Sequence, residues 1–298
     1  MNSLQQASSA FMHCQLFYVR DSQQMQIARL QSLIVAHKLP IVLHIELFSD
    51  KLTQKRRQQL SQQLDQKATQ PILLLDDKDT LSWLSDGLSV APEWDKLQRR
   101  VVSAGRKSEL LLQAAKMTSE SKAIDATAGF GHDSLILAST GAQVVMLEQQ
   151  PLMALLLLAE QQRMTALPNW QKLMARLQII NTDAISYFKS MSSHSLANAD
   201  KSVDVVYLDP MFPEDSYQDQ KTGKGAKVGK HMQALHQLAR PPTSDEERQL
   251  LQSALSAVSQ YSGRVIVKRP QLAPLLANQA ASECWHNEAV RFDGYFTR

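Results

Sequence analysis

Ile124-Asp125-Ala126-Thr127-Ala128-Gly129-Phe130-Gly131-His132-Asp133 is the stretch on which the fold turns. An apolar run ends in an acid, a turn with two glycines follows, and a helix-like segment opens directly after it. Strand, glycine turn, helix is the start of a βα unit whose strand end and helix start share one edge. Further on, Val205-Val206-Tyr207-Leu208-Asp209-Pro210-Met211-Phe212-Pro213 repeats the plan: an apolar run, an acid and a turn, here with prolines on either side of Met-Phe.

The pattern continues outward from these two stretches. Val144 to Glu148 reads as a strand and Pro151 to Met164 as a helix, with proline where its missing N–H costs little. Leu177 to Ile180 is a third strand, ending at Asn181-Thr182-Asp183. Val203 to Leu208 is a fourth, and Arg264 to Lys268 a fifth after a helix over Asp245 to Ser259. Strands alternating with helices predict an α/β fold with a parallel, doubly wound sheet. Its strands share a carboxyl edge, which is where such sheets bind ligands. Asp125, Glu148, Asp183 and Asp209 all fall on that edge.

Upstream, Leu16 to Val19, Ile41 to Leu47 and Ile72 to Leu75 read as strands, with helices over Gln23 to His37 and Asp50 to Gln66. This predicts a small N-terminal α/β domain over residues 1–102. Gly87 to Gly105 reads as the linker region, with Arg99-Arg100 and Arg106-Lys107 in it. A helix over Ser108 to Met117 then leads into the second domain, residues 103–298. His37 and His44 have no second ligand at metal spacing, so no metal is expected. Lys55-Arg56-Arg57 reads as a solvated helix face or an RNA contact.

Composition sets the class. Of 298 residues, 44% are hydrophobic and 20% charged, which suits a folded chain rather than a disordered one. A net charge of +3 permits a nucleic-acid partner without requiring one. Cys14 and Cys284 are the only cysteines, so a disulfide framework is excluded and a reducing compartment expected. Met1 to Ala10 is polar with no basic start, and Leu152 to Ala159 falls far short of the roughly 20 apolar residues that span a bilayer. The expectation is a cytoplasmic protein with no membrane contact.

The strand-end residues suggest a chemistry. Gly129 and Gly131 let a backbone turn sharply and approach a ligand. Ser134 stands where a dinucleotide cradle has its third glycine, which argues against a pyrophosphate and a nicotinamide dehydrogenase. Glu148, ending the next strand, is placed to accept hydrogen bonds from a ribose diol. Asp183 is placed to take an adenine amino group, or serves as a turn former. Asp125 is either a ligand contact or a carboxylate that braces the loop. A ligand with a ribose, no pyrophosphate and a positive charge suits these acids, and S-adenosylmethionine has those features. Asp209 and the Pro210 carbonyl form an acceptor pair for both N–H groups of a nucleobase amine, and Phe212 is the side chain to stack on the base. Catalysis would then rest on positioning and desolvation, without a strong general base.

Asp125 to Asp133, Leu147-Glu148-Gln149-Gln150-Pro151, Val206 to Pro213, Val267-Lys268-Arg269-Pro270 and Arg291-Phe292-Asp293 closely resemble the ribosomal RNA small-subunit methyltransferase J family. The resemblance covers about residues 103–298. It implies a Rossmann-like class I methyltransferase sheet and methyl transfer from S-adenosylmethionine to the exocyclic N2 amine of one guanine in small-subunit (16S) ribosomal RNA. The partner would be that RNA, naked or within the 30S subunit. By similarity His132 and Asp133, Glu148 and Gln149, and Asp183 with Ala184 line the cofactor, and Asp209 contacts both cofactor and target amine. Two departures stand out. Only Gly105-Arg106-Lys107 remains of the family's Arg- and Gly-rich segment, and Glu214 to Tyr217 intervenes before a lysine-rich stretch. In that stretch Lys221, Lys224, Lys227 and Lys230 alternate with glycines and read as a solvated loop or a phosphate-contacting flap. Lys268 and Arg269 read as RNA phosphate contacts or as a brace for the Pro210 turn, and Arg291 with Asp293 as a pair. The competing readings are a DNA adenine amino-methyltransferase and a non-catalytic RNA-binding assembly factor.

Overall fold

The computed structural model describes residues 11–48, 53–65, 70–85, 88–105, 107–195, 203–212, 237–259 and 262–296. The first part of the chain builds strands β1 (Met12–Tyr18), β2 (Ile41–Leu47), β3 (Ile72–Leu75), β4 (Leu81–Ser85) and β5 (Leu88–Val90), with helices α1 (Gln24–Ala36) and α2 (Gln54–Asp65). They form a sheet in the order β2-β1-β3-β4-β5. β1 pairs in parallel with β2 and β3, and β3-β4-β5 is an antiparallel meander.

Short helices α3 (Gln98–Ser103) and α4 (Leu110–Ala115) lead to the second sheet. Its strands are β6 (Lys122–Asp125), β7 (Gln143–Glu148), β8 (Leu177–Asn181), β9 (Val205–Leu208), β10 (Arg264–Pro270), β11 (Glu283–His286) and β12 (Val290–Phe296). The helices among them are α5 (His132–Ser139), α6 (Pro151–Thr165), α7 (Gln171–Met174), α8 (Ala184–Ser195) and α9 (Ser244–Ala257). The strand order is β11-β12-β10-β9-β6-β7-β8. β8, β7, β6, β9 and β10 run parallel, as the doubly wound pattern predicts. β12 departs from it, pairing antiparallel with both β10 and β11. A tight turn at Asn287, whose Oδ1 accepts the Ala289 and Val290 N–H groups at 2.9 Å, joins β11 to β12. A connection that short permits only an antiparallel return.

The chain leaves β6 toward β7 and β8, then comes back to β9 on the other side of β6. The strand order therefore reverses between β6 and β9, and the two stretches quoted first end side by side there.

The helix α6 shows how the two sheets are joined. Leu152 to Leu158 is buried on every side, so the first half of the helix has no polar face to present. It packs on α1 and β4 of the first part as well as on β7 and β8 of the second. One apolar cluster runs from Leu16 and Trp83 through Trp94 to Leu135, Leu155 and Tyr207. Burying each such leucine is worth about 1.5–3 kcal/mol, so this junction is a core and not a loose contact. The region expected to be a linker is likewise ordered and partly internal. β5 lies in it, and Trp94 is fully buried.

Candidate active site

A cavity of about 730 Å³ opens over the carboxyl ends of β6, β7 and β9. The glycine turn, Glu148 to Gln150, Thr182 to Ile185, Asp209 to Met211, Leu238 to Arg240 and Lys268 border it.

The glycine turn is held by its own acid. Asp125 is buried, its Oδ1 accepts the Thr127 N–H at 3.2 Å, and its Oδ2 accepts the Ser134 hydroxyl at 2.5 Å. Burial pushes its carboxyl up to about 7, against the pull of those two donors. Ser134, the residue in place of a third glycine, is therefore a brace of the turn. The two glycines divide their tasks. Gly129 has φ +53°, borders the cavity and donates its N–H to Glu148 Oε2 at 3.1 Å. Gly131 has φ +73°, and a Cβ there would stand 2.6 Å from Met146 Cε and 3.0 Å from the Trp94 ring. Gly131 thus serves close packing beneath the turn and does not border the cavity.

The glycine turn is backed from outside the cavity by the region expected to be a linker. The Trp94 indole N–H donates to the Phe130 carbonyl at 2.7 Å, and the Trp94 amide donates to Glu160 at 2.9 Å. His132 Nε2 lies 2.8 Å from the Pro92 carbonyl. A carbonyl only accepts, so that nitrogen carries the proton. Burial holds the His132 pKa below its ordinary value. Sequence reasoning missed this support because nothing in Pro92 to Trp94 shows what it will face.

At the end of β7, Glu148 Oε1 accepts the Gln150 N–H at 2.7 Å, and burial pushes its carboxyl up to about 7. Asn181 Nδ2 donates to the Glu148 carbonyl at 2.7 Å and the Gln149 carbonyl at 3.2 Å, locking two strand ends together. Gln149 is exposed at the rim. Asp183 precedes α8, and its Oδ1 accepts the Ser186 N–H at 2.8 Å, so it caps that helix while bordering the cavity with Ala184.

At the end of β9 the Asp209 N–H donates to Thr127 Oγ1 at 2.6 Å, which ties the second turn to the first. Pro210 and Met211 border the cavity. Phe212 is buried under the Arg269 guanidinium, 4.5 Å from its ring centroid. Arg269 is 4% exposed, donates to the Pro274 carbonyl at 2.8 Å and meets Glu247 at 3.2 Å. Phe212 thus packs behind the turn, which corrects its reading as the side chain that faces a base, and the contacts of Arg269 are those of a brace, the second of its two readings.

Lys268 is likewise turned inward. Its Nζ lies 2.9 Å from Asp133 Oδ2 and 2.9 Å from Asp209 Oδ2. Tyr207 donates its hydroxyl to Asp133 at 2.6 Å, and the Arg100 guanidinium stands 4.0 Å from the other Asp133 oxygen. Burial raises the Asp133 pKa, but Lys268 and Tyr207 outweigh it and hold the carboxyl down to about 2. Burial raises Asp209 above the usual range, with Lys268 pulling it back. Lys268 is raised: its two carboxylate partners outweigh its burial. Tyr207 and Asp209 are two residues apart on one strand and so share a face, a signal the sequence carried. The position of Lys268 beside them follows from β9–β10 pairing, where Val267 is opposite Leu208.

Elsewhere Arg291 and Asp293 do pair, at 2.7 and 3.0 Å. Lys221, Lys224, Lys227 and Lys230 lie outside the described residues. Among the described residues no group of three or more His, Cys, Asp or Glu could hold a metal ion, and no helix is long and apolar enough to cross a membrane.

The family described as "Putative SAM-dependent methyltransferase" matches residues 48–297. A protein of Psychrobacter cryohalolentis named ribosomal RNA small subunit methyltransferase J is 72% identical over 99% of this chain and 100% of its own length. A protein of the same name from Legionella pneumophila is 37% identical over 80% of this chain and 89% of its own. The crystal structure of a SAM-dependent methyltransferase from Neisseria gonorrhoeae superposes with a TM-score of 0.62 at 25% identity, covering 95% of this chain and 96% of that one.

Proposed function

The chain belongs to the ribosomal RNA small subunit methyltransferase J family, and we propose that it methylates the exocyclic N2 amine of one guanine in small-subunit ribosomal RNA. It is an S-adenosylmethionine-dependent methyltransferase. The side chains suit that cofactor. The Gly129 amide is bonded to Glu148 and the Gly131 amide to the Ala128 carbonyl, so these two N–H groups are not offered to a pyrophosphate. Glu148 accepts two backbone N–H groups and, having about four acceptor positions, retains capacity for a ribose diol. Asp183, Ala184 and Gln149 would border the adenosine, and His132 and Asp133 the opposite end. The cofactor supplies a methyl group on a cationic sulfur, and the surrounding carboxylates match its charge.

The observation that carries the proposal is that Asp209 and Pro210 border the same cavity as Glu148 and are tied by Thr127 to the glycine turn. The Asp209 carboxylate and the Pro210 carbonyl accept the two N–H groups of the amine and aim its lone pair. With the cofactor bound as methyl donor, these two acceptors would hold the amine with its lone pair toward the methyl group, and Asp209 would take up the N–H proton released on transfer and pass it to solvent. Rate would come from this alignment in a closed site. We propose that residues 103–298 form the methyltransferase domain and that residues 1–102 support its glycine turn through Pro92 and Trp94. Such a substrate puts the protein in the cytoplasm.

The test is incubation with methyl-labelled cofactor and, separately, small-subunit RNA, assembled small subunits and DNA, followed by mass mapping of the modified nucleotide. N2-methylguanosine at one position in the RNA is expected. Label confined to DNA, or to adenine, overturns the proposal.

A further inference from the structure

We propose that Lys268 is a positioning residue for methyl transfer, holding Asp209 ionised and in one orientation so that a carboxylate oxygen is turned to the incoming amine. This rests on the role given to Asp209 above. Lys268 stands at the level of Asp209 because β10 pairs with β9 through Val267 and Leu208, one step before both residues. Its ammonium reaches Asp209 Oδ2 at 2.9 Å. The Asp209 amide is tied to Thr127 at 2.6 Å. Asp209 is thus gripped at its backbone and at one carboxylate oxygen, and among the described residues Oδ1 is the oxygen left for a substrate. Its side chain retains 27% exposure, enough to meet a ligand in the cavity.

The arrangement also supplies charge. Asp133 and Asp125 face Asp209 from α5 and β6, Tyr207 from its own strand, and Lys268 and Arg269 from β10. Arg100 reaches Asp133 from α3. Arg269 is engaged with Glu247 and Phe212. Two carboxylates and burial therefore press Asp209 toward its protonated form, and Lys268 is the cation in contact that opposes them. A protonated Asp209 would point a donor at an N–H group and lose its grip on the amine. One lysine bound to two carboxylates also leaves the pair with one net negative charge, matched to a cofactor with a cationic sulfur.

A phosphate-contacting lysine makes different predictions, and so does a merely structural one. The experiment uses the full chain as wild type, Lys268→Met and Lys268→Arg. It reads single-turnover methyl transfer to small-subunit RNA against pH, cofactor binding by calorimetry, and RNA binding against salt. We expect Lys268→Met to lose about 100-fold in rate, with its acid limb moved to higher pH and cofactor affinity changed only a few-fold. Lys268→Arg keeps the charge and should recover much of the rate and return the limb toward wild type. The salt slope of RNA binding should not change. If Lys268→Met does not fold, Lys268→Gln carries the same expectations. An unchanged rate overturns the proposal, as does a lower rate with an unmoved acid limb. A salt slope lowered by about one makes Lys268 a phosphate contact instead. A wild-type protein that transfers no methyl group to RNA removes the functional reading and this inference with it. An active wild type with an unaffected Lys268→Met removes the inference alone.

Discussion

The turn after β6 and the turn after β9 look alike in sequence, and the fold uses their acids in opposite ways. Each is an apolar strand that ends in aspartate. Asp125 is 1% exposed, with both oxygens bonded to Thr127 and Ser134 of its own turn. Asp209 keeps an exposed face, with one oxygen on Lys268. The difference lies in the neighbours. Hydroxyl and amide donors close to Asp125 in sequence draw its carboxylate inward, whereas Asp209 is met by a cation from another strand. A strand-end acid thus indicates where a ligand site lies, and its hydrogen-bond partners decide whether it is available to the ligand.

Four measurements would break or sharpen this contrast. The largest effect is expected at Asp209. Asp209→Ala should lower methyl transfer about 1000-fold, the loss typical of a group that acts directly on the reacting atoms, while cofactor binding falls only moderately. Single-turnover rates beside calorimetry check this, and normal turnover would remove the amine-gripping role. Next comes the support that pins the first turn. Trp94→Ala should cost about 3–5 kcal/mol of stability, as for a large buried aromatic, and should weaken cofactor binding as the Phe130 carbonyl loses its donor. Urea unfolding measures the first quantity. A stable variant with intact binding would make the support incidental.

Asp125→Ala should act in the other direction from Asp209→Ala, costing about 1–3 kcal/mol of stability as the Ser134 hydroxyl loses its partner. If that variant instead kept full stability and lost only rate, the two acids would have to be read alike. The smallest effect concerns Glu148. Its folded-state pKa is raised to about 7 from an ordinary 4.5, so the unliganded fold favours the protonated form. That contribution to stability is present at low pH and fades as pH rises through about 7. A ribose diol donates to the ionised form, so cofactor affinity should rise as pH passes upward through about 7. Calorimetry on either side of that value tests it. Glu148→Ala should lose about 1–3 kcal/mol of cofactor affinity and, with it, this pH dependence.

Much of the frame was legible in advance. The strands ending at Asp125, Glu148 and Leu208, and the helix beginning at Pro151, occur where periodicity and turn residues place them. β4 was missed because Leu81 to Ser85 is buried throughout and shows no alternation. β5 and Trp94 were missed because a short segment between polar stretches looks like a linker until the partner that buries it is known. The direction of β12 depends on a turn of three residues, which a strand pattern alone does not orient.

The sequence by itself determined the doubly wound sheet, the carboxyl edge with its acids and the Asp209-Pro210 turn. Each is written in contiguous residues, through apolar periodicity and the backbone limits of glycine and proline. Only the tertiary structure decided which acids brace their own turns, that Phe212 and Arg269 stack behind the turn, that Pro92 and Trp94 hold the glycine turn from behind, and that Lys268 bridges Asp133 and Asp209. Those outcomes depend on register and packing between segments far apart in the chain, where burial strengthens each charge pair and leaves no water to substitute for a missing partner.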